Sequence, residues 1–407
     1  MKRARNPLVA IFATVLFDLV AFGMVLPLLP YFASDLGGSP AMVGLIIASY
    51  SAMQFIFSPL WGRASDRYGR KPIILICLLG TALSYVLFAI ADSLFLLFAS
   101  RLVAGVMGGT IVIAQACVAD TTTPDRRTRA LGMLGMAFGL GFIFGPAIGG
   151  VLSNWGYLLP GLAAAGFSLL AVIVALRFLP ESLPSERRVA RGARPGVRSA
   201  VAERGRDLRE ILSRPAVRNP IIAAFVGTIG FAAFTATFPL YLRDPLRLTP
   251  ASAGVYFAFT GLVSAVVQGV MIGPLVERFG ERRVAGIGAA LAGVSLVLVG
   301  AAANPLALVA VLAGIGGGWG LMNPSLVGLV SKAGGAAQGG VLGTLQSAAS
   351  LSRMIGPLAG GWAFGALGYS WQFAAAGAFM LATALFVAAV CIDPRQPEQV
   401  VVAASPG

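Results

Sequence analysis

The sequence predicts an all-helical membrane protein with twelve transmembrane helices in two pseudo-symmetric six-helix bundles. Three observations support this fold class. Hydrophobic residues make up 57% of the 407 residues and charged residues only 11%, against about 25% charged residues in a soluble domain. Apolar runs of about 20 residues, each long enough to cross roughly 30 Å of hydrocarbon, follow one another along the chain. The two halves of the sequence also repeat each other.

The apolar runs lack the alternation that is typical of barrel strands, and only helices or closed barrels can cross a bilayer. We therefore assign each run to a transmembrane helix, called a span and numbered along the chain. The predicted spans are residues 8 to 32, 41 to 62, 73 to 91, 94 to 119, 130 to 153, 158 to 179, 219 to 242, 251 to 275, 284 to 303, 305 to 330, 339 to 364 and 370 to 392.

The basic residues indicate how these spans are oriented. With the amino terminus in the cytoplasm, 26 of the 30 Lys and Arg residues lie on the cytoplasmic side, and the outer loops hold only Arg243 and Arg247. This positive-inside pattern predicts an integral protein of the cytoplasmic membrane with both termini in the cytoplasm. The net charge of +14 is then a signal of topology and of contact with anionic membrane lipid, and no nucleic-acid partner is predicted.

The composition argues against most enzyme classes. The chain has no His, and its three Cys residues lie in apolar runs without metal-ligand spacing, so neither a metal site nor a cofactor is predicted. No phosphate-binding G-x-x-x-x-G-K-[ST] segment occurs, which argues against ATP as the energy source. The spans show no nucleophile or acid pair suited to catalysis, and we predict that the protein is not an enzyme.

Two features divide the chain into halves. Residues 180 to 218 are polar and rich in Arg and Pro, which predicts a cytoplasmic linker between bundles at 1–179 and 219–407. The segment 62–71 recurs at 273–282, and the segment 145–150 recurs at 356–361, both at an offset of 211 residues. Repeats at one offset indicate internal duplication. Such repeats around a midplane site are typical of secondary transporters, in which one half rocks against the other.

Three motifs resemble those of the major facilitator superfamily, and within it those of the twelve-span drug/proton antiporters, including tetracycline and multidrug efflux proteins. The loop after span 2 reads G-x-x-x-D-R-x-G-R-K, span 4 contains R-x-x-x-G at Arg101, and span 5 contains G-x-x-x-G-P-x-x-G-G. The resemblance implies efflux of a small molecule in exchange for protons, by a protein that works as a monomer. Spans 8 and 9 lack the histidine and carboxylate of tetracycline exporters, and span 11 gains Arg353, so tetracycline itself is not implied.

Asp18 is the one acidic residue deep within a predicted span. It lies ten residues after Leu8, or about 15 Å into the membrane, near the level where transporter sites lie. An ionised Asp at a helix centre costs about 2.5 to 3.5 kcal/mol, so embedded acids are functional by default. Apolar surroundings favour its neutral form and a nearby Arg favours its ionised form. Asp18 is therefore predicted to bind and release the coupling proton.

Arg101 lies about 10 Å into span 4, close in level to Asp18. We predict that Arg101 displaces the proton from Asp18 when substrate arrives. The simpler alternative is that Asp18 and Arg101 form a structural ion pair between spans 1 and 4.

The resemblance also implies a cytoplasmic latch after span 2. In it, Asp66 contacts the first turn of span 11 and Arg70 pairs with Asp120 at the end of span 4. The second copy of the motif has Glu281 where Arg70 stands and Lys332 near the position of Asp120. We therefore expect one strong latch, in the first half. The latch residues are Gly62, Asp66, Arg67, Gly69, Arg70, Lys71 and Asp120.

Span 5 carries glycines at every fourth position, which lets another backbone approach closely, and a proline that favours a bend. The functional interpretation is a seam that closes the outer side against the other half, and the alternative is ordinary helix packing. The motif residues are Gly141, Gly145, Pro146, Gly149 and Gly150.

Aromatic and polar side chains within the spans are candidates for the substrate cavity. Apolar walls around a single acid suit lipophilic, often cationic compounds. The predicted function is proton-coupled efflux of such drug-like compounds. The alternatives are proton-linked export of a sugar or other metabolite, and a non-transporting scaffold or sensor with the same fold. The candidate residues are Phe22, Gln54, Gln115, Phe142, Phe234, Tyr256, Trp319, Asn323, Gln346 and Arg353.

Overall fold

The computed structural model describes residues 7–122, 124–183, 212–302, 304–334 and 338–391. Within these ranges the chain is helical, with no β-strand. The all-α fold class is therefore confirmed. Most of the linker predicted at 180–218 lies outside the described residues, and the division into bundles at 1–179 and 219–407 stays a prediction.

The first half of the chain contains six spans, two of which are interrupted. Span 1 consists of two helices separated by a turn, and span 4 is broken in the same way. Ser39 caps span 2 by accepting a hydrogen bond from the backbone N–H of Met42. The bounds are Pro7–Val25 and Leu29–Asp35 (span 1), Pro40–Tyr68 (span 2), Arg70–Ala89 (span 3), Leu94–Val106 and Thr110–Thr121 (span 4), Pro124–Leu152 (span 5) and Leu158–Phe178 (span 6).

The second half begins with span 7 at Pro215–Arg243 and ends with spans 10, 11 and 12 at Pro305–Gly334, Gln338–Leu367 and Tyr369–Val390. Between them, Pro250–Val299 forms one helical run of 50 residues. This run is about 75 Å long at 1.5 Å per residue, more than twice the thickness of the hydrocarbon layer. Gly280 interrupts it with a φ of 79°. The run therefore contains spans 8 and 9, with their junction at Gly280.

Ten segments of the described chain are long and apolar enough to cross a membrane, and the 50-residue run is one of them. Span 11 is not among the ten, because it contains a charged side chain and many small residues. Large apolar side chains lie exposed along the spans, among them Ile173, Val270 and Leu385. Such exposure suits contact with lipid, which is as apolar as the protein core.

The chain forms two compact units. Unit 1 contains 1–194 together with 235–261 and 357–365, which belong to spans 7, 8 and 11. Its core is made by small and branched residues of spans 1, 3, 4, 5 and 6, such as Val15, Ile74 and Ile113. Unit 2 contains 195–234, 262–356 and 366–407. In unit 2, a Cβ atom on Gly288 would come within 2.6 Å of the span 10 backbone, so spans 9 and 10 pack backbone to backbone.

Candidate functional site

Asp18 lies in the middle of the first helix of span 1. Its Oδ1 atom is buried and has no hydrogen-bond partner among the described residues. The Thr110 side chain lies beside the carboxyl group, but the Thr110 hydroxyl also lacks a partner that meets hydrogen-bond geometry in the part of the chain described. Asp18 is thus a half-buried acid whose Oδ1 atom has unused hydrogen-bonding capacity among the described residues.

Span 4 is broken beside Asp18, between Val106 and Thr110. Two side chains of span 2 satisfy carbonyl groups that the break releases. Trp61 donates from Nε1 to the Val106 carbonyl at 2.5 Å, and Gln54 donates from Nε2 to the Gly108 carbonyl at 3.2 Å. Thr110 begins the second helix of span 4, so Asp18 lies near a helix amino end, which favours negative charge. The sequence analysis missed both Trp61 and the break.

Arg101 is also buried in unit 1, but it does not pair with Asp18. Its guanidinium lies 5.8 Å from the ring centre of Tyr85 and 5.5 Å from that of Phe88, and its Nε donates to Ser100 Oγ at 3.3 Å. Within the described ranges, no ion pair joins Arg101 to Asp18. The alternative of a direct structural ion pair is therefore wrong for this conformation. Tyr85 interacts electrostatically with both groups.

The motif after span 2 in the first half is an ion-pair cluster around Arg70. Its guanidinium contacts Asp66 at 2.7 Å and Asp120 at 3.0 Å and donates to Ser65 Oγ at 2.6 Å. Glu181 accepts from the Arg70 backbone N–H at 2.9 Å and so caps the start of span 3. The geometry joins Arg70 to Asp120, as the resemblance implied, while the expected contact of Asp66 with span 11 stays a prediction.

The remaining residues of this motif lie at the turn between spans 2 and 3. Gly69 has a φ of 104°, a conformation that disfavours residues with a Cβ atom. Lys71 donates from Nζ to the Leu176 carbonyl of span 6 at 2.8 Å, and Arg67 lies over the ring of Tyr68. Gly62 is packed near Val112 of span 4.

The motif after span 8 in the second half also holds an ion pair, and the expectation that the first half carries the one strong latch stays a prediction. Glu281 is 5% exposed and accepts a hydrogen bond from the Lys332 ammonium. The buried partner is an anion here, whereas it is the cation Arg70 in the first half. The charge substitution at 281 therefore inverted the pair and did not remove it.

Most of the motif glycines of span 5 pack against span 1, whereas the functional interpretation expected them to face the other half of the chain. A Cβ atom on Gly141, Gly145 or Gly149 would come within 2.4 to 2.7 Å of span 1 atoms, so this face packs within the first half. By contrast, Gly150 and Pro146 lie against Gly254 of span 8, where a Cβ atom would approach the Pro146 carbonyl to 2.3 Å. Of the five motif residues, Pro146 and Gly150 are thus the ones that contact span 8, and closure of the outer side by this motif stays a prediction.

The candidate cavity residues divide into packing and partly accessible groups. Phe234 is 1% exposed and packs against Phe231 and Phe373, so its assignment to the cavity is corrected to the core of unit 2. Gln54 donates a hydrogen bond to the Gly108 carbonyl at the break in span 4, which gives its side chain a structural role. The partly or largely exposed candidates, whose roles stay predictions, are Phe22, Gln115, Phe142, Tyr256, Trp319, Asn323, Gln346 and Arg353.

A polar cluster at the ends of spans 1 and 7 and the start of span 6 was not predicted. Asp35 pairs with Arg243 at 2.7 Å and accepts a hydrogen bond from the Tyr157 hydroxyl at 2.5 Å. The Tyr31 hydroxyl donates to the Leu248 carbonyl at 3.0 Å. Burial raises the pKa of Tyr157, and the Asp35 contact raises it further, so Tyr157 stays protonated as a donor. The contacting residues are more than 100 positions apart in the chain, and no local pattern links them.

The fold and these buried charges define a polytopic helical membrane transporter that takes small-molecule substrates. The model of the Major Facilitator Superfamily matches residues 11–271 and 221–407. The chain belongs to this superfamily. It is 32% identical to the class E tetracycline resistance protein of Escherichia coli over 88% of both chains. It is 30% identical to multidrug resistance protein 2 of Bacillus subtilis, over 94% of this chain and 95% of that protein.

The solved structure of the human organic anion transporter MFSD10 (TETRAN) is also similar. Its TM-score is 0.73 at 26% sequence identity, covering 95% of this chain and 100% of that one. The nucleoside transporter NupG shares the fold at a TM-score of 0.73 and 15% identity. An integral membrane transporter, and not an enzyme, is therefore the class of protein to which the chain belongs.

Proposed function

We propose that the protein exports lipophilic, drug-like compounds, cationic ones included, in exchange for protons by alternating access. The observation that carries this proposal is Asp18, an embedded acid with a buried oxygen that lacks a hydrogen-bond partner among the described residues. The tetracycline and multidrug resistance proteins among its relatives support efflux as the direction of transport. We further propose that both termini lie in the cytoplasm, because the basic residues follow the positive-inside pattern.

The proton switch follows from the surroundings of Asp18. The amino end of the second helix of span 4 stabilises the carboxylate, while the apolar packing around it stabilises the neutral acid. Substrate that moves Thr110 or Tyr85 changes the balance between these two effects. Because Arg101 does not contact Asp18 directly, its effect on the proton acts at longer range or through Tyr85.

The test is substrate export by proteoliposomes under an imposed pH gradient, with a tetracycline, a cationic dye and an organic anion as the substrate panel. We expect wild-type protein to accumulate at least one compound against its gradient. Asp18→Asn removes the titratable group and is expected to abolish uphill export while retaining downhill exchange of substrate. Asp92→Asn, an exposed acid between spans 3 and 4, is the matched control and is expected to transport normally.

Two results would contradict the proposal. Uphill, gradient-driven export by the Asp18→Asn variant would show that another group carries the proton. No gradient-driven export of any compound by correctly folded wild-type protein would favour the scaffold or sensor alternative.

A further inference from the structure

The break in span 4 comprises residues 107–109, and the second helix of this span begins at Thr110. In an uninterrupted helix, the Val106 carbonyl would accept from the Thr110 backbone N–H, four residues further on. In the structure that carbonyl accepts from Trp61 Nε1 of span 2, at 2.5 Å. The indole N–H therefore replaces the Thr110 N–H, which becomes one of the first-turn N–H groups that a helix leaves without an internal partner.

Span 2 also packs closely against the residues of the break. A Cβ atom on Gly109 would come within 2.8 Å of Trp61 Cβ, and a Cβ atom on Gly108 within 3.0 Å of Gln54 Nε2. The same Gln54 atom donates to the Gly108 carbonyl at 3.2 Å. Span 2 thus contributes both hydrogen bonds and packing to the interrupted conformation of span 4.

The break places hydrogen-bond donors at Asp18 of span 1. Thr110 is 2% exposed, and its side chain lies beside the Asp18 carboxyl group. The Thr110 hydroxyl and Asp18 Oδ1 are each buried without a hydrogen-bond partner among the described residues. The first-turn N–H groups carry the positive end of the helix dipole, which favours a nearby anion. Recapture of the Thr110 N–H by the Val106 carbonyl would remove this helix end from Asp18.

Two other titratable groups interact electrostatically with Asp18, and both lie on span 3. They are Cys77 and Tyr85, and Tyr85 also interacts with Arg101 of span 4. Spans 5 and 6 pack against span 1 as well, but their charged residues lie at the span ends, at 125–129 and 177. Trp61 is uncharged, so its replacement by another aromatic residue keeps all of these groups and changes the hydrogen bond at the break.

We propose that Trp61 is a positioning residue of the proton site, because its N–H keeps span 4 broken and so keeps the Thr110 hydroxyl and the amino end of the second helix at Asp18. Gln54 has the same role through a longer hydrogen bond. This inference rests on the proposed function, since it gives span 2 a part in the binding and release of the same proton. Trp61 acts on that proton through Thr110.

The test follows the protonation of Asp18 by infrared difference spectroscopy of the purified full-length protein over a pH series. The carbonyl stretch of the protonated acid is the band that Asp18→Asn removes. Trp61→Phe deletes the N–H donor and keeps an aromatic ring. Because the carboxylate then loses stabilising donors, we expect this band to titrate about half to one unit higher in pH, a roughly three- to tenfold increase in proton affinity. Trp155→Phe, at an indole 67% exposed in the same unit, is the matched control and is expected to leave the midpoint unchanged.

A double variant shows whether Trp61 acts through Thr110. Thr110→Val removes the hydroxyl, and in this background Trp61→Phe is expected to shift the midpoint less than it does in wild type. An unchanged midpoint in Trp61→Phe overturns the inference, and so does an equal shift in both backgrounds. If Trp61→Phe does not fold, Gln54→Met decides, because it is expected to shift the midpoint in the same direction, and no shift overturns the inference.

The infrared measurement needs no transport. A titration that depends on Trp61, in a protein whose Asp18→Asn variant still exports substrate uphill, counts against the proposed function alone. Loss of uphill export in Asp18→Asn, together with a titration that is independent of Trp61, counts against this inference alone. If Asp18→Asn removes no band at any pH, Asp18 stays ionised throughout, and both proposals are wrong.

Discussion

The turns after spans 2 and 8 share a positive-φ glycine and carry buried charges of opposite sign. Gly69 and Gly280 stand at the repeat offset of 211 residues, and both have positive φ angles, of 104° and 79°. The residue that follows each glycine is buried at the start of a helix. That residue is the cation Arg70 in the first half and the anion Glu281 in the second. The two repeats thus share the turn but differ in the sign of the buried charge.

The electrostatics of helix amino ends explain how one turn can hold a buried positive charge and the other a buried negative charge. A negative charge is favourable at the amino end of a helix. In the second half, Glu281 itself supplies that charge at the start of span 9. In the first half, Arg70 has the unfavourable sign, and Glu181 supplies the negative charge by accepting from the backbone N–H groups of Arg70 and Lys71. In the first loop, a separate residue, Glu181, therefore supplies the negative charge at the helix start.

The largest expected effect is that of Arg70→Gln. This change removes the Arg70 partner of Asp120, whose side chain is only 12% exposed, and breaking a buried pair in this way costs about 3 to 5 kcal/mol. The measurement is the free energy of unfolding of the purified protein in detergent. Arg63→Gln, an exposed Arg of the same loop region, is the control, and an equal loss in both variants would contradict the role of the cluster.

A smaller loss is expected for Glu281→Gln. Its partner Lys332 has a side chain that is 47% exposed, so the ammonium remains hydrated when the carboxylate is gone. We expect a loss of about 1 kcal/mol in unfolding free energy, typical of a partly exposed pair. The exposed Glu277→Gln is the matched control. A loss as large as that of Arg70→Gln would show that the two loops contribute equally to stability.

The smallest expected effect is that of exchanging the second pair, Glu281→Lys with Lys332→Glu. The ion pair is restored, so the double variant should lose only the favourable charge at the start of span 9, about 0.3 to 1 kcal/mol. A double-mutant cycle on unfolding free energy measures the coupling between the two positions. No coupling between them would mean that the pair contributes nothing to folding.

The spans and the candidate proton site were accessible from the sequence for different reasons. Span positions follow from the length of apolar runs, which the thickness of the bilayer fixes. Asp18 was found because a lone acid in such a run is costly. The alternative of a direct Asp18–Arg101 ion pair is not seen in this conformation, because equal depth along two helices does not decide which faces meet. Tyr85 and Phe88 of span 3 instead contact the Arg101 side chain.

Composition and periodicity by themselves determined that the chain is a twelve-span helical membrane protein with an internal sequence repeat and with most of its charges at or beyond the helix ends. These properties depend on whether each segment prefers lipid or water, and that preference is set by the residues of the segment itself. Only the tertiary structure decided that span 4 is broken and capped by Trp61, that span 5 glycines pack on span 1, and that Asp35 pairs with Arg243. These contacts join residues far apart in the chain, and they depend on how the helices are rotated against each other, which hydropathy does not specify.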